Sequence, residues 1–181
     1  MSEIIEKVVH LFENHGDSQY GGEAVSQLEH ALQAAHFANE AGEKSNIIVA
    51  GILHDIGHLL HHLPDDAPEN GIDDLHENLA NDFLQQYFTP EVVEPVRLHV
   101  AAKRYLCATE PGYLETLSIP SKISLEFQGG VMNEEEVLLF EKNEFYKEAV
   151  SLRTWDDLAK DHNVVSPSIE SFIEAIESSI K

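Results

Sequence analysis

Apolar residues recur at helical spacing along almost the whole chain, and no stretch shows the strict alternation of an amphipathic strand. Ile4, Ile5, Val8, Val9, Leu11 and Phe12 put one apolar side on an opening helix that should stop near His15 and Gly16. A polar turn from Asp17 to Gly22 leads into a long helix from about Glu23 to Ala41, ended by Gly42. Ser45 can cap a third helix, Asn46 to about Leu60, through a side-chain bond to an orphan N–H. Leu63 to Gly71, acidic and carrying two prolines, reads as a loop, and Asp73 or Asp74 as the cap of a fourth helix running to Tyr87. Thr89-Pro90 opens a further segment. Pro95 lacks an N–H and suits the start of another helix, running through His99 to about Cys107. Pro111–Ser118, Ser121–Glu126, Asn133–Val150 and Thr154–Lys160 follow as helical pieces, and Ser166-Pro167 caps the last, with Ile169, Phe172, Ile173, Ile176 and Ile180 inward. The expectation is an all-α helical bundle forming a single domain over residues 1–181, without linker or repeat.

Composition narrows what such a bundle does. Eleven Lys and Arg stand against 33 Asp and Glu, a formal charge of −22. That field repels a phosphate backbone and an anionic bilayer, so no nucleic-acid or membrane partner is expected. A small anionic substrate would need the scarce cations gathered locally in its site. The single cysteine, Cys107, excludes an internal disulfide framework and a Cys-rich zinc site. The N-terminal residues lack the pattern of a secretion signal and no apolar run reaches transmembrane length, which makes a cytoplasmic protein the expectation; no obligate protein partner is evident. Eleven histidines in so acidic a chain are unusual, and imidazole with carboxylate is the ligand set that Fe, Mn and Zn favour.

Sorting the histidines by helical face separates them. His30 shares a row with Ala34, Phe37, Ala38 and Ala41 and points inward, whereas His36 shares one with Glu29, Gln33 and Glu40, a solvated face. Ile47, Gly51, His54 and His58 form another row, with Asp55 beside them among Ile and Leu. An unpartnered carboxylate placed there costs several kcal/mol, which a cation or metal must offset. His76 aligns with Ala80, Phe83 and Tyr87, and His99 with Val92, Val96 and Lys103. Any one of these histidines could be a core residue satisfied by a hydrogen bond. His30, His54, His76 and His99 aimed inward together, with Asp55, point to a metal site. His10, His15, His61, His62 and His162 lack inward rows and should face solvent.

His54-Asp55, with His30 ahead and Asp156 far downstream, resembles the HD-domain superfamily of metal-dependent phosphohydrolases and related oxygenases. The additional His76 and His99 resemble its two-metal members. In that pattern Asp55 bridges two ions, with His30, His54 and Asp156 completing one and His76 and His99 the other. Tyr20-Gly-Gly-Glu23, Gln27-Leu-Glu-His30, His99 through Cys107, Ser121 and Arg153-Thr-Trp-Asp156 are similar to the mixed-valence diiron organophosphonate oxygenases, cousins of myo-inositol oxygenase. The resemblance spans about residues 20 to 160 and implies two Fe ions in an Fe(II)/Fe(III) working state. It also implies O2-dependent cleavage of the C–P bond of a 1-hydroxy-2-(amino or methylated amino)ethylphosphonate, giving phosphate and glycine or an N-methylated glycine such as betaine.

The same resemblance makes Tyr20 and Glu23 a catalytic lid, with Tyr20 at a metal position at rest. Lys103, one turn beyond His99, and Arg153, three residues before Asp156, place cations near proposed ligands and suit a phosphonate dianion; both also suit structural ion pairs with buried carboxylates. His58 and Ser121 fit as neutral donors to the same head group, although Ser121 equally suits a helix cap. Tyr20, Tyr105, Tyr113 and Trp155 offer aromatic surface for a methylated ammonium, but spacing does not gather them around one point. The rival reading is a two-metal HD phosphohydrolase acting on a small phosphate ester or nucleotide, since both chemistries use a His/Asp dimetal cage.

Overall fold

The computed structural model describes residues 2–60 and 75–181, and within them the chain is all α with no strand. The expected loop and the Asp73 or Asp74 cap, together with His61 and His62, lie outside the described residues. α1 (Glu3–His15) buries Ile4, Ile5, Val8 and Phe12, with Glu3 and Glu6 at its positive end. α2 (Gln27–Glu40) begins four residues later than the periodicity suggests. Ser26 Oγ accepts from the Glu29 N–H at 3.2 Å while the Ser26 N–H donates to Glu29 Oε2 at 2.7 Å, and this reciprocal cap sets the start. Residues 19–26 instead close a tight turn, with the Tyr20 N–H bonded to the Val25 carbonyl and the Glu23 N–H to the Tyr20 carbonyl.

α3 (Ser45–Leu53) is shorter than expected, and Ser45 is its first helical residue while Lys44 holds the capping position. His54, Asp55 and Ile56 form a turn before α4 (Gly57–Leu60). Three-residue hydrogen bonds run through it, from the N–H groups of Ile56, His58 and Leu59 to the carbonyls of Leu53, Asp55 and Ile56. The tightening is what lets neighbouring His54 and Asp55 both face the interior.

α5 (His76–Leu84) ends before Tyr87, and α6 (Pro90–Thr109) is one continuous helix. Pro95 therefore sits inside a helix, contrary to expectation. It forfeits the bond to the carbonyl of Glu91, an exposed residue of the first turn, and its own ring is buried among apolar neighbours. α7 (Tyr113–Thr116) and α8 (Ile119–Phe127) follow, the latter capped by Ser118 rather than Ser121. The expected 133–150 helix is divided. α9 (Glu134–Phe140) is opened by an Asn133–Glu136 reciprocal cap, and α10 (Tyr146–Leu158) runs without interruption through the break expected before Thr154. A 3₁₀ turn (Ile169–Phe172), led by Ser168, feeds α11 (Ile173–Ser178).

α2, α3, α6 and α10 pack against one another, with α5 on α6 and α11 on α3. Phe88, Ile5, Ile52, Leu53, Ile56, Leu84, Leu152 and Ile176 fill the core. A Cβ on Gly51 would lie 3.0 Å from the Ala35 nitrogen, so glycine is what allows α2 and α3 to approach. Gln33, expected on a solvated face, is buried, its amide donating to the Asp161 carbonyl at 2.9 Å. Among the described residues no helix is long and apolar enough to cross a membrane.

Gly57 joins the fold to the site, because a Cβ there would sit 2.0 Å from the His76 carbonyl oxygen. Gly57→Ala should therefore displace the start of α5 and cost about 1–3 kcal/mol, read as a lowered denaturant midpoint at unchanged slope.

Candidate metal centre

Six ligand-type side chains reach one interior point from separate elements: His30 from α2, His54 and Asp55 from the turn after α3, His76 from the first position of α5, His99 from α6 and Asp156 from α10. All are buried. Three of the four rings are oriented by backbone carbonyls, His54 and His99 by those of their own helices and His30 by one at the end of α10. His30 Nδ1 lies 2.8 Å from the Ala159 carbonyl, His54 Nδ1 2.9 Å from that of Gly51 and His99 Nδ1 2.7 Å from that of Val96. A carbonyl only accepts, so each Nδ1 carries the proton and each Nε2 presents a lone pair. His30 Nε2 and His54 Nε2 then face each other at 3.0 Å with no proton between them. His76 Nε2 and His99 Nε2 form a second pair at 3.2 Å.

Asp55 stands between the pairs and divides its oxygens. Oδ2 lies 3.5 Å from His30 Nε2 and 3.4 Å from His54 Nε2, whereas Oδ1 lies 3.3 Å from both His76 Nε2 and His99 Nε2. Both oxygens are buried without a hydrogen-bond donor. Facing lone pairs and a donorless carboxylate repel unless cations lie among them. The separations suit that occupant, since ligand bonds of about 2.0–2.2 Å at right angles put neighbouring ligand atoms about 3 Å apart. Two overlapping sets of potential ligands result, His30–His54–Asp55 and Asp55–His76–His99. Burial pulls the His54 imidazole down to about 4, so it is neutral and ready to ligate near pH 7.

Asp156 approaches the first set, its Oδ1 3.5 Å from His30 Nε2 and itself without a hydrogen bond. Its Oδ2 accepts from Arg153 Nη1 at 2.6 Å. Burial opposes ionisation of Asp156, but Arg153 and then Lys160 outweigh it and hold the carboxyl well below the usual range.

The other residues expected at a site fall around this centre. The Tyr20 ring stacks on His30 with centroids 3.7 Å apart and 13° between planes; burial, then Asp156 and Asp55, hold its phenol well above the usual value. Glu23 places Oε1 3.9 Å from Lys160 Nζ. His58 lies 3.9 Å from Asp55 Oδ1 and stacks on His76 at 4.0 Å. Lys103 is buried and donates to Ser124 Oγ at 2.8 Å, and burial, then Arg153, pull its ammonium down to about 7. Ser121 accepts from Lys160 Nζ at 3.0 Å. Of the two uses open to Arg153, the structure displays the ion pair: its guanidinium is taken up by Asp156, Asp157 and the Tyr113 hydroxyl. Tyr105 lies apart, packed on Phe140 in a second apolar cluster. His10, His15 and His162 are exposed, and His36 is half-buried beside Phe37, away from the centre.

Lys160 went unnoticed in the sequence, although its position four residues after Asp156 on a helical row was a usable signal. Its Nζ is 3.9 Å from Asp156 Oδ1, and its side chain is only 12% exposed. Asp157, four residues after Arg153 on the same helix, carried an equivalent signal, whereas Tyr113 had none, because its relation to Arg153 exists only once α7 lies against α10.

Replacing Asp55 by Ala should leave purified protein without both metal ions by elemental analysis, since each half loses a ligand, while His36→Ala should retain wild-type content.

Comparison with known proteins agrees with the geometry. The HD domain family model matches residues 28–159. The chain is 39% identical over 174 residues to the [1-hydroxy-2-(trimethylamino)ethyl]phosphonate dioxygenase (glycine-betaine-forming) of Leisingera caerulea, covering 96% of this chain and 89% of that one. It is 42% identical over 180 residues to the hydroxymethylphosphonate dioxygenase of Gimesia maris, covering 97% and 89%. An uncharacterized protein of Acanthamoeba polyphaga mimivirus is 38% identical over 165 residues, covering 88% and 75%. With buried imidazole pairs split by one carboxylate and relatives matched over nearly its full length, this chain belongs to the HD-domain family, in the group that contains these phosphonate dioxygenases.

Proposed function

We propose that the protein cleaves the C–P bond of a small 1-hydroxyphosphonate with O2, at a pair of iron ions held by the buried cage. The overall change inserts both oxygen atoms: R–CH(OH)–PO₃²⁻ and O2 become R–COO⁻, HPO₄²⁻ and one proton. The observation that carries the reading is the division of Asp55 between two imidazole pairs, joined to the dioxygenase activity named for relatives that match almost end to end. His30, His54, Asp156 and Asp55 would hold one ion and His76, His99 and Asp55 the other. The irons, as an Fe(II)/Fe(III) pair, would supply the redox capacity for O2 and a Lewis acid for the substrate hydroxyl.

The chain's own part is to bind, orient and cover. In a protein of net charge −22, buried Lys103 feels the charge of Lys160, which bonds Ser121, and His58 lies beside Asp55; together these are donors suited to a phosphonate dianion. Arg153 acts through Asp156, keeping that carboxylate ionised and turned toward His30. Tyr20, neutral and stacked on His30, covers the first half of the centre and with Glu23 forms the lid that yields to substrate. The turn that carries them ends at the Ser26 cap, so it can move without unwinding α2.

The named relatives do not favour the phosphohydrolase reading. The deciding experiment follows O2 uptake and phosphate release with hydroxymethylphosphonate, 1-hydroxy-2-aminoethylphosphonate and its trimethylammonium analogue. One phosphate per O2 and no product under anaerobic conditions are expected. Release of phosphate from simple esters without oxygen would overturn the proposal in favour of hydrolysis. EPR of the iron-loaded protein should show a spin-coupled signal from unequal irons that changes on adding substrate.

Lys103 also sets a pH dependence. Its ammonium must be charged to grip the dianion and titrates near 7 in the free protein, so kcat/KM should fall as pH rises through about 7. Lys103→Met should lower kcat/KM about 10- to 100-fold at neutral pH, the worth of a charge-assisted hydrogen bond, and flatten that limb with iron content retained.

A further inference from the structure

Asp156 is turned by Arg153, and Arg153 is itself held. Its Nη2 donates to Asp157 Oδ1 and its Nε to Asp157 Oδ2 at 3.2 Å, a two-pronged bond that fixes the plane of the guanidinium. The Tyr113 hydroxyl donates to the same Asp157 Oδ2 and accepts from Arg153 Nε at 3.1 Å. Burial, partly offset by Arg153, holds the Tyr113 phenol well above its usual value, so it remains a donor at any working pH. Gly112, at φ 85°, supplies the left-handed turn that brings α7 and Tyr113 over α10.

We propose that Asp157 and Tyr113 are positioning residues that hold Arg153 to a single contact with Asp156, and thereby tune metal affinity in the His30–His54 half of the centre alone. With Asp157 taking Nε and Nη2 along one edge of the guanidinium, only Nη1 reaches Asp156, pinning Oδ2 and leaving Oδ1 turned toward His30 Nε2. Without the negative charge of Asp157, the freed edge of Arg153 forks onto both oxygens of Asp156 and withdraws Oδ1 from that half. Among the described residues, no hydrogen bond joins the His76–His99 half to this network; the Val96 carbonyl orients His99, and both Nε2 atoms lie 3.3 Å from Asp55 Oδ1. Outer groups of this kind typically change metal affinity about 10- to 100-fold.

The inference rests on Asp156 serving the first ion, as proposed above. Metal-free wild type, Asp157→Asn and Tyr113→Phe are titrated with Co(II), which is redox-stable, and bound metal is measured at a free concentration just saturating the wild type. Wild type should hold two ions, and Asp157→Asn close to one, with affinity for the lost ion reduced about 10- to 100-fold. Tyr113→Phe, which removes one hydroxyl and leaves the charges in place, should reduce the same step several-fold without altering the other. The asymmetry is the signature, because a merely structural role would weaken both steps together with the unfolding midpoint. Wild-type titrations from both variants, or parallel loss of both ions, would overturn the inference. A wild type that holds fewer than two ions would instead defeat the dimetal reading on which it rests.

Discussion

A single buried carboxylate organises this molecule. Asp55 lies in an interior otherwise filled by Ile, Leu, Val and Ala, with neither oxygen accepting a hydrogen bond and each within 3.5 Å of two imidazole nitrogens. Burying that charge is costly unless positive charge lies beside it. The outer nitrogens of His30, His54 and His99 lie on backbone carbonyls, and burial keeps His54 neutral. Two cations, one on each oxygen, would resolve the conflict, and the imidazole pairs stand where their ligands would belong. The interrupted helix after Leu53 and the missing side chain at Gly57 follow from the same requirement, since both bring Asp55 and His76 to one point.

Electrostatics then separates the centre from its surroundings. The chain as a whole repels anions, yet Lys103, Arg153 and Lys160 lie within the side of the bundle that faces the site, a sizeable share of its eleven Lys and Arg. They are not equivalent. Arg153 is consumed by carboxylates and acts on the metal side, as a planar fork does well. Lys103 is a point charge on a flexible stem, its ammonium weakened by burial. Lys160 sits between Glu23, Asp156, Asp157 and Ser121.

The turn before α2 carries the ring that stacks on the centre. Because the Ser26–Glu29 cap begins the helix late, Tyr20 and Glu23 belong to a short turn and not to the bundle wall. The stacking of Tyr20 on His30 covers the first half of the centre, where its neutral phenol adds no further charge to a site already dense in carboxylates. A cover held by ring stacking and a few turn hydrogen bonds is inexpensive to displace compared with a packed helix.

Much of this was legible in the sequence. Helical spacing determined the all-α class, and the faces of α2, α5 and α6 marked His30, His76 and His99 as inward because one buried stripe leaves an imprint every three to four residues. His54-Asp55 stood out as polar residues in an apolar string. Boundaries were read less well where local chemistry overrides periodicity: the Ser26 cap, the tightened turn at His54–Ile56, Pro95 inside a helix and the break between α9 and α10. What only the tertiary structure decided was who shares a partner. The division of Asp55 between two imidazole pairs, the contact of Tyr113 with Arg153 and Asp157, and the contact of Lys160 with Ser121 join residues up to about forty positions apart. Periodicity reports the direction in which a side chain leaves its helix, but the group it meets depends on how the helices dock, and no local pattern encodes that.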